Sequence, residues 1–251
     1  MAYPSPVPSD ALYNRLSMDS SRIADLLRPF LARDSTPNHP PSSSHDEAAA
    51  LTPAQLQYIS IYIDILVRWN SRIRLTAISE PEEIVKRHFG ESLFAARCLF
   101  PRSRFALVNG PQASANVHLV DVGSGAGFPG LPFKFWMPGL NVTLIESNQK
   151  KATFLREIVR SLSLSQVDVF PRRAEEFSGD GADIVTLRAV ERFDSILPVA
   201  ARLVTSRGRL ALLIGEAQVR RSRELAPGFS WSDPVAIPQS ERRVVLIGAR
   251  A

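Results

Sequence analysis

The stretch HLVDVGSGAGFPG, residues 118–130, decides the fold of this chain, because an apolar run leads directly into a loop with four glycines in eight residues. Such a run predicts a buried β-strand, and glycines let the backbone behind it turn tightly. Because glycine has no Cβ atom, a ligand can also approach the N–H groups of the loop closely. The stretch therefore predicts the first strand of an α/β sheet with a nucleotide-like ligand at its carboxyl end.

Apolar runs alternate with helical patterns after residue 117, which is typical of a parallel sheet covered by helices on both faces. Two strand-like runs at the C-terminal end follow without a long helix between them and predict an antiparallel pair that closes the sheet. The predicted fold class is α/β, with a mostly parallel sheet of seven strands. The predicted parallel strands are residues 117–122, 141–147, 167–172, 182–188 and 208–215, the helices are residues 151–162 and 193–204, and the antiparallel pair is residues 229–238 and 242–250.

The chain before the sheet has helical periodicity. Residues 19–32 space their apolar side chains like one helix face, and Thr52 followed by Pro53 predicts the start of a longer helix. Residues 80–100 carry acids early and bases late, as suits the dipole of a helix. We expect a disordered N-terminus over residues 1–18, a helical region over residues 19–105 with a flexible linker rich in Pro and Ser at residues 33–50, and the α/β domain over residues 106–251.

The composition narrows the class of protein. With 251 residues, 45% of them hydrophobic, the chain can bury a sizeable core. Its single cysteine, Cys98, excludes an internal disulfide and a cysteine-based metal site, so we expect no metal and a cytoplasmic location. No apolar run is long enough to span a bilayer, so we expect no membrane association. The net charge of +5 is compatible with a polyanionic partner such as RNA, but it does not show where on the protein such a partner would bind.

The identity of the ligand depends on the charges around the glycine loop. Gly125, Gly127 and Gly130 have the GxGxxG spacing of dinucleotide-binding proteins, so a nicotinamide-dependent oxidoreductase is one hypothesis. Asp121 favours S-adenosylmethionine as the ligand. A carboxylate at the carboxyl end of the strand repels the pyrophosphate of a dinucleotide, whereas it tolerates the ammonium and sulfonium groups of S-adenosylmethionine. Glu146, after the second strand, is then expected to bind the ribose hydroxyls. Alternatively, Asp121 is only a hydrogen-bonded residue at the end of a strand.

The methyl acceptor can be narrowed by what the sequence lacks. Methylation at C5 of a pyrimidine usually needs a cysteine nucleophile, and Cys98 precedes the predicted sheet. Methylation of an exocyclic amine commonly uses Asn or Asp followed by two prolines after the fourth strand, where residues 186–193 are TLRAVERF. A ring nitrogen with a free lone pair remains, and it needs orientation more than a base. Arg188, at the end of the fourth strand, is expected to contact a guanine edge or a phosphate, or to form an ion pair.

Six segments together carry a resemblance to one known family: LVRWNSRIRLTAISEPEEIVKRHFGESL, DVGSGAGFPGLP, LIESNQKKATFLRE, RRAEEF, LRAV and RRVVLI. The glycine loop alone is generic, whereas its combination with the Trp-Asn helix before it is specific. Over roughly residues 52–249 the chain resembles the bacterial 16S ribosomal RNA guanine-N7 methyltransferases, the glucose-inhibited division protein B family.

This resemblance implies a Rossmann-like class I methyltransferase that uses S-adenosylmethionine to methylate N7 of one guanine in the decoding region of 16S rRNA. The implied partner is 16S rRNA or the small ribosomal subunit, and we expect a monomer. Arg188 matches the arginine of the family's site and is the implied catalytic residue. The implied cofactor-binding residues are Gly123, Gly125, Gly127, Phe128, Glu146, Ala174, Glu175 and Arg188, and the implied substrate-binding residues are Arg87, His88, Lys150 and Arg156.

Three positions depart from the family pattern. Arg74 stands where the family usually has Asn, and Glu91 stands where it has Asp. Ile214 stands where the family has Lys, so a positive charge expected near the cofactor is missing. These departures leave a different RNA or a small molecule as an alternative acceptor. A noncatalytic RNA-binding module is a further alternative.

Overall fold

The computed structural model describes residues 18–32, 51–100, 117–179 and 181–250. The predicted linker at residues 33–50 lies outside the described residues, as does the predicted disordered N-terminus except for its last residue. The predicted boundary between residues 105 and 106 also lies outside them, so the division into domains stays a prediction.

The helices before the sheet begin close to the predicted positions. Helix α2 (Pro53–Ile73) begins as predicted, because the Thr52 hydroxyl accepts a hydrogen bond from the Gln55 N–H and the Gln55 side chain accepts one from the Thr52 N–H. Pro53 is its first helical residue. The other bounds in this region are α1 Ser20–Leu31, α3 Pro81–Ile84 and α4 Glu91–Leu99, with a π-helical segment Val85–Gly90 between α3 and α4.

The π-helical segment interrupts the single helix that was predicted over residues 80–100. At its end, Gly90 packs against Phe30 of α1 so closely that a Cβ atom there would lie 2.6 Å from a ring carbon. Short π-helical turns are rare and are frequent at functional sites. This one carries Arg87 and His88, two of the predicted substrate-binding residues.

The sheet has the predicted mixed topology. Its strands are β1 His118–Val122, β2 Asn141–Ile145, β3 Val167–Phe170, β4 Ala182–Arg188, β5 Val204–Gly215, β6 Phe229–Trp231, β7 Val235–Ala236 and β8 Arg243–Arg250. The strand order is β3-β2-β1-β4-β5-β8-β6. Strands β1 to β5 are parallel, and β8 lies antiparallel between β5 and β6. Seven strands form this path as predicted, but the predicted strand over residues 229–238 is divided into β6 and a two-residue strand, β7, which both pair with β8.

Two hydrophobic clusters cover the two faces of the sheet. The first joins α1, α2 and α4 to one face of the sheet, so the N-terminal helices share their core with the strands. The second covers the opposite face. No helix within the described residues is long and apolar enough to cross a membrane. The remaining helices are α5 Gly130–Trp136, α6 Gln149–Ser161, α7 Phe193–Arg202 and α8 Val219–Leu225, and short 3-10 turns lie at Ala174–Glu176 and Glu216–Gln218.

Candidate active site

The glycine loop lies where the chain order of the parallel strands reverses, between β1 and β4. Open α/β sheets bind ligands outside the carboxyl ends of the strands at such a point. Gly123, Gly125 and Gly127 have φ values of 69°, 56° and 84°, in a region that favours glycine. The N–H groups of Gly123 and Ser124 donate to the Ile145 carbonyl at 2.9 and 3.0 Å, which fixes the loop to the end of β2.

The glycines of the loop differ in what a side chain would meet. A Cβ atom at Gly127 would lie 2.3 Å from Tyr62 Oη, so this glycine is required for packing against α2. At Gly123 the nearest atom would be Val190 Cγ1 at 3.1 Å, and at Gly125 it would be a backbone oxygen at 3.8 Å. Gly123 and Gly125 therefore offer backbone that a ligand can approach, whereas Gly127 sets the path of the loop.

Asp121 is fully buried beneath the loop. One carboxylate oxygen accepts a hydrogen bond from the Thr186 hydroxyl at 2.7 Å, and the other accepts one from the Gly130 N–H at 3.1 Å. Burial raises the pKa of Asp121 to about 6, and these hydrogen bonds oppose the rise. The contacts agree with the alternative interpretation of Asp121 as a hydrogen-bonded strand-end residue. It holds β4 and α5 to β1, so any effect it has on a bound ligand acts through its charge.

Glu146 connects the glycine loop to the turn after β2. Its Oε2 accepts a hydrogen bond from the Gly125 N–H at 2.9 Å, and its Oε1 accepts one from the Asn148 N–H at 2.8 Å. A carboxylate has about four lone-pair sites, so each oxygen can still accept another donor. The side chain is 8% exposed and lines both of the cavities described next. The Glu146 carboxylate is therefore already oriented in the absence of ligand, with both oxygens able to accept hydrogen bonds from two ligand hydroxyl groups.

Two cavities meet at Gly123 and Glu146. The smaller, of about 320 Å³, is lined by Ala174 and Glu175, both predicted to contact the cofactor, and by the basic residue Arg173. The larger, of about 550 Å³, brings together the loop and the π-helical segment. The predicted site residues that line the larger cavity are Gly123, Gly125, Phe128, Glu146, His88 and Arg188.

Four predicted site residues lie outside the lining of both cavities: Gly127, Arg87, Lys150 and Arg156. Lys150 and Arg156 are exposed on α6, and the neighbouring Lys151 lines the larger cavity. Thr76 also lines this cavity, and sequence reasoning did not single it out. The only signal for Thr76 is that it belongs to the segment that carries the family resemblance.

Arg188 is held by a buried carboxylate. Its Nη2 lies 3.1 Å from Glu91 Oε2, and Arg243 binds both oxygens of the same carboxylate at 3.0 and 2.9 Å. Arg87 Nε lies 3.3 Å from Glu91 Oε1, and the Arg87 carbonyl accepts a hydrogen bond from Arg188. Burial lowers the pKa of Arg188 to about 10, and Glu91 opposes the fall, so the guanidinium stays charged at neutral pH. Three guanidinium groups thus share one carboxylate that is 1% exposed.

His88 forms the wall between this cluster and the loop. Its ring stacks on Phe128 with a centroid distance of 4.8 Å and an interplanar angle of 23°. Its Nδ1 lies 3.3 Å from Arg188 Nη2, and its Nε2 lies 2.8 Å from Thr76 Oγ1. Burial lowers the pKa of His88 to about 3, with Arg188, Arg87 and Arg243 adding to the effect. The imidazole is therefore neutral at physiological pH.

The low pKa of His88 predicts a pH-dependent loss of stability. Below its ordinary pKa of 6.5 the unfolded chain binds a proton at His88, whereas the folded chain binds none until about pH 3. The contribution of His88 to the free energy of unfolding therefore decreases as the pH falls. Relative to a His88→Gln variant, the wild type should lose about 2 kcal/mol of unfolding free energy between pH 7 and pH 5. Urea titrations of both proteins at the two pH values measure this, and parallel losses would contradict it.

Tyr62 couples α2 to the glycine loop. Its hydroxyl donates to the Ala126 carbonyl at 2.5 Å, and its ring stacks on Phe128 with a centroid distance of 5.5 Å. Tyr62→Phe should lower the unfolding free energy by about 1–2 kcal/mol, because the buried Ala126 carbonyl loses its donor. The affinity for S-adenosylmethionine, measured by calorimetry, should fall with it as the loop loosens. Tyr58→Phe, at a half-buried tyrosine of the same helix, is the matched control and should leave both values unchanged.

The three departures from the family pattern have different structural settings. Arg74 ends α2 in the left-handed conformation at φ 47°, where Asn is the best tolerated residue after glycine. Glu91 is the buried centre of the arginine cluster. Ile214 is buried in β5, and the next residue, Gly215, pairs with Arg243 of β8. A positive charge therefore reaches this end of the sheet from β8 rather than from β5.

A mixed sheet of this order, a glycine loop after β1 and a carboxylate after β2 define a Rossmann-like S-adenosylmethionine-dependent methyltransferase. The family model described as GidB, rRNA small subunit methyltransferase G, matches residues 55–232. The chain belongs to this family.

Curated relatives carry the same description. The chain is 38% identical to a ribosomal RNA small subunit methyltransferase G of Desulfitobacterium hafniense, over 63% of this chain and 62% of that protein. It is 34% identical to one of Streptococcus pyogenes, over 68% of this chain and 70% of that protein. The matched region thus spans less than two thirds of the first relative. A solved structure of a predicted O-methyltransferase from Agrobacterium tumefaciens aligns with a TM-score of 0.48 and 16% identity, over 64% of this chain and 81% of that one.

Proposed function

We propose that this protein transfers the methyl group of S-adenosylmethionine to N7 of a guanine in the decoding region of 16S rRNA. We propose further that it acts on the small ribosomal subunit or its assembly particle, as a monomer in the cytoplasm. Membership of the rRNA small subunit methyltransferase G family supports this function. The geometry that carries the proposal is the larger cavity, which connects the glycine loop to a neutral histidine and a buried arginine.

The residues around the loop fit the proposed cofactor. Gly123 and Gly125 leave room for the methionyl end, and Glu146 can accept both ribose hydroxyls with its remaining lone pairs. Ala174 and Glu175 line the smaller cavity and are the proposed adenine contacts. When bound, S-adenosylmethionine supplies a methyl group on a sulfonium, whose C–S electron pair leaves with sulfur as a nucleophile bonds to the carbon.

A ring nitrogen is the acceptor that best suits the larger cavity. Its lining contains no cysteine among the described residues, and Cys98 lies on α4, half-buried against the first hydrophobic cluster. Guanine N7 carries a lone pair at neutral pH, so no protein group has to remove a proton before attack. The protein must instead hold the base in line with the methyl group, which is an orientational task. We assign this task to Arg188, which forms an ion pair with Glu91, and to His88, which contacts Arg188.

Basic residues around the cavity are the proposed RNA contacts. The Arg87 side chain is 43% exposed, and Lys150 and Arg156 are exposed on α6. Lys and Arg side chains of this kind bind phosphates without reading sequence, and their binding weakens with salt. The proposal therefore includes a salt-sensitive affinity for RNA, with base recognition confined to the cavity.

Methyl transfer to purified small subunits that lack the modification tests the proposal, with the product mapped by mass spectrometry of the rRNA. The wild type should form N7-methylguanine at one position in the decoding region. The absence of N7-methylguanine would reject the acceptor, while calorimetry with S-adenosylmethionine would still report on the cofactor.

Arg188→Ala should lower turnover about 100-fold in this assay, because the base loses a group that fixes its position. The affinity for S-adenosylmethionine should change much less. Arg220→Ala, on α8 and with a 92% exposed side chain, is the control and should keep the wild-type rate. Near-normal turnover in Arg188→Ala would remove Arg188 from the proposed site.

A further inference from the structure

Thr76 is one of the residues that line the larger cavity. The residue lies shortly after α2 and is half-buried. Its Oγ1 accepts a hydrogen bond from the Ile78 N–H at 3.1 Å and lies 2.8 Å from His88 Nε2. Its backbone N–H donates to Asn70 Oδ1 at 2.9 Å, which fixes the turn that presents the side chain.

The contact between Arg188 and His88 decides the direction of the hydrogen bond to Thr76. The hydrogens of Arg188 Nη2 also bind Glu91 Oε2 and the Arg87 carbonyl. Because a guanidinium group has only donors, a hydrogen on His88 Nδ1, which lies 3.3 Å from Nη2, would face another donor, so Nδ1 is the unprotonated nitrogen. In a neutral imidazole the proton is then on Nε2. His88 Nε2 therefore donates to Thr76 Oγ1.

A hydroxyl oxygen has two lone pairs and one hydrogen. The N–H groups of Ile78 and His88 occupy both lone pairs of Thr76 Oγ1. The hydroxyl hydrogen is then left to donate to another group, and Thr76 lines the larger cavity, where we expect the base to bind. Arg188 and His88 therefore fix the hydrogen-bonding role of Thr76, in addition to the orienting role proposed for them above.

We propose that Thr76 is a specificity-determining residue whose hydroxyl donates to the carbonyl oxygen O6 of the target guanine. Guanine presents O6 and N7 as neighbouring acceptors, whereas adenine presents an amino donor in place of O6. A donor to O6 holds the base and leaves the N7 lone pair free to attack. With adenine, the 6-amino group would face the Thr76 hydroxyl, and both groups are donors. The same hydroxyl therefore disfavours adenine. This inference rests on the proposed function.

The first test examines the hydrogen-bond direction without any methyl transfer. Nitrogen-15 NMR of the whole protein, labelled at histidine, distinguishes the two neutral tautomers, and His88→Gln assigns the signal. The expected result is a protonated Nε2 and an unprotonated Nδ1 at neutral pH. The opposite tautomer would make Thr76 donate to His88 and would overturn the inference regardless of the activity.

The second test removes each partner of the proposed hydrogen bond in turn. Small subunits are reconstituted with guanine or with 2-aminopurine, which lacks O6, at the methylated position. On guanine, Thr76→Val should lower kcat/KM by roughly 10- to 100-fold, and Thr76→Ser should restore most of it. On 2-aminopurine, Thr76→Val should cause little further loss, because the partner is already absent.

The outcomes separate this inference from the proposed function. Equal losses on guanine and on 2-aminopurine would show that Thr76 does not contact O6, while N7 methylation itself would stand. Absence of methyl transfer by the wild type would reject the proposed function and the inference with it. If Thr76→Val does not fold, Thr76→Ala, which also lacks the hydroxyl, takes its place in the comparison of the two bases. Wild-type turnover of 2-aminopurine as fast as that of guanine would overturn it.

Discussion

Glu91→Gln is expected to lower the unfolding free energy by about 3–5 kcal/mol, because it leaves the buried guanidinium group of Arg188 without its counter-charge. Glu91 is 1% exposed, and Arg188 depends on it with a side chain that is 8% exposed. Burial raises the pKa of Glu91, and the charges of Arg188, Arg243 and Arg87 oppose the rise. The arginines therefore stabilise the ionised carboxylate, and the carboxylate in turn stabilises their positive charges.

The same variant should lose methyl-transfer activity, because Arg188 and the π-helical segment are no longer held together. Urea unfolding and kcat measure the two effects. Glu216→Gln, at an exposed carboxylate outside the cluster, is the matched control and should leave both values unchanged.

Glu91→Asp keeps the negative charge but shortens the side chain, so it distinguishes the effect of the charge from the effect of side-chain length. We expect a stability between those of the wild type and Glu91→Gln. A Glu91→Gln protein as stable as the wild type would mean that the three arginines do not need this charge.

The sheet could be predicted from the sequence because each strand is a short apolar run followed by a turn or a helical pattern. The runs at residues 117–122 and 182–188 correspond closely to β1 and β4, whereas β5 begins at Val204, four residues before the run at residues 208–215. The π-helical segment could not be predicted, because its apolar spacing resembles that of an α-helix. Its wider turn coincides with the packing of Gly90 on Phe30, a contact between residues far apart in the chain.

The site could be predicted where one segment of sequence carries the chemistry, as in the glycine loop and at Glu146. The arginine cluster could not, because Arg188 and Glu91 are 97 residues apart and meet only in the folded chain. The role of Asp121 was also open, since its position at a strand end does not reveal whether the side chain faces a ligand or, as here, the core.

Gly123→Val is expected to abolish measurable binding of S-adenosylmethionine, because Gly123 lines both cavities. Its φ of 69° is costly for a β-branched residue, by about 1–2 kcal/mol. The Cβ atom would lie 3.1 Å from Val190 Cγ1, so the two added methyl groups must occupy the space that the ligand needs. The affinity should fall at least about 100-fold, which removes roughly 2.7 kcal/mol of ligand-induced stabilisation.

Thermal unfolding with and without S-adenosylmethionine measures this effect. The melting temperature of the wild type should rise with the ligand, and that of Gly123→Val should not. Gly228→Val is the matched control, because a Cβ atom at Gly228 meets nothing within 4 Å and the residue lies outside both cavities. Gly123→Ala adds one carbon and should retain part of the affinity. If Gly123→Val bound the methyl donor as tightly as the wild type, the donor would have to approach the sheet elsewhere, since both cavities meet at this residue.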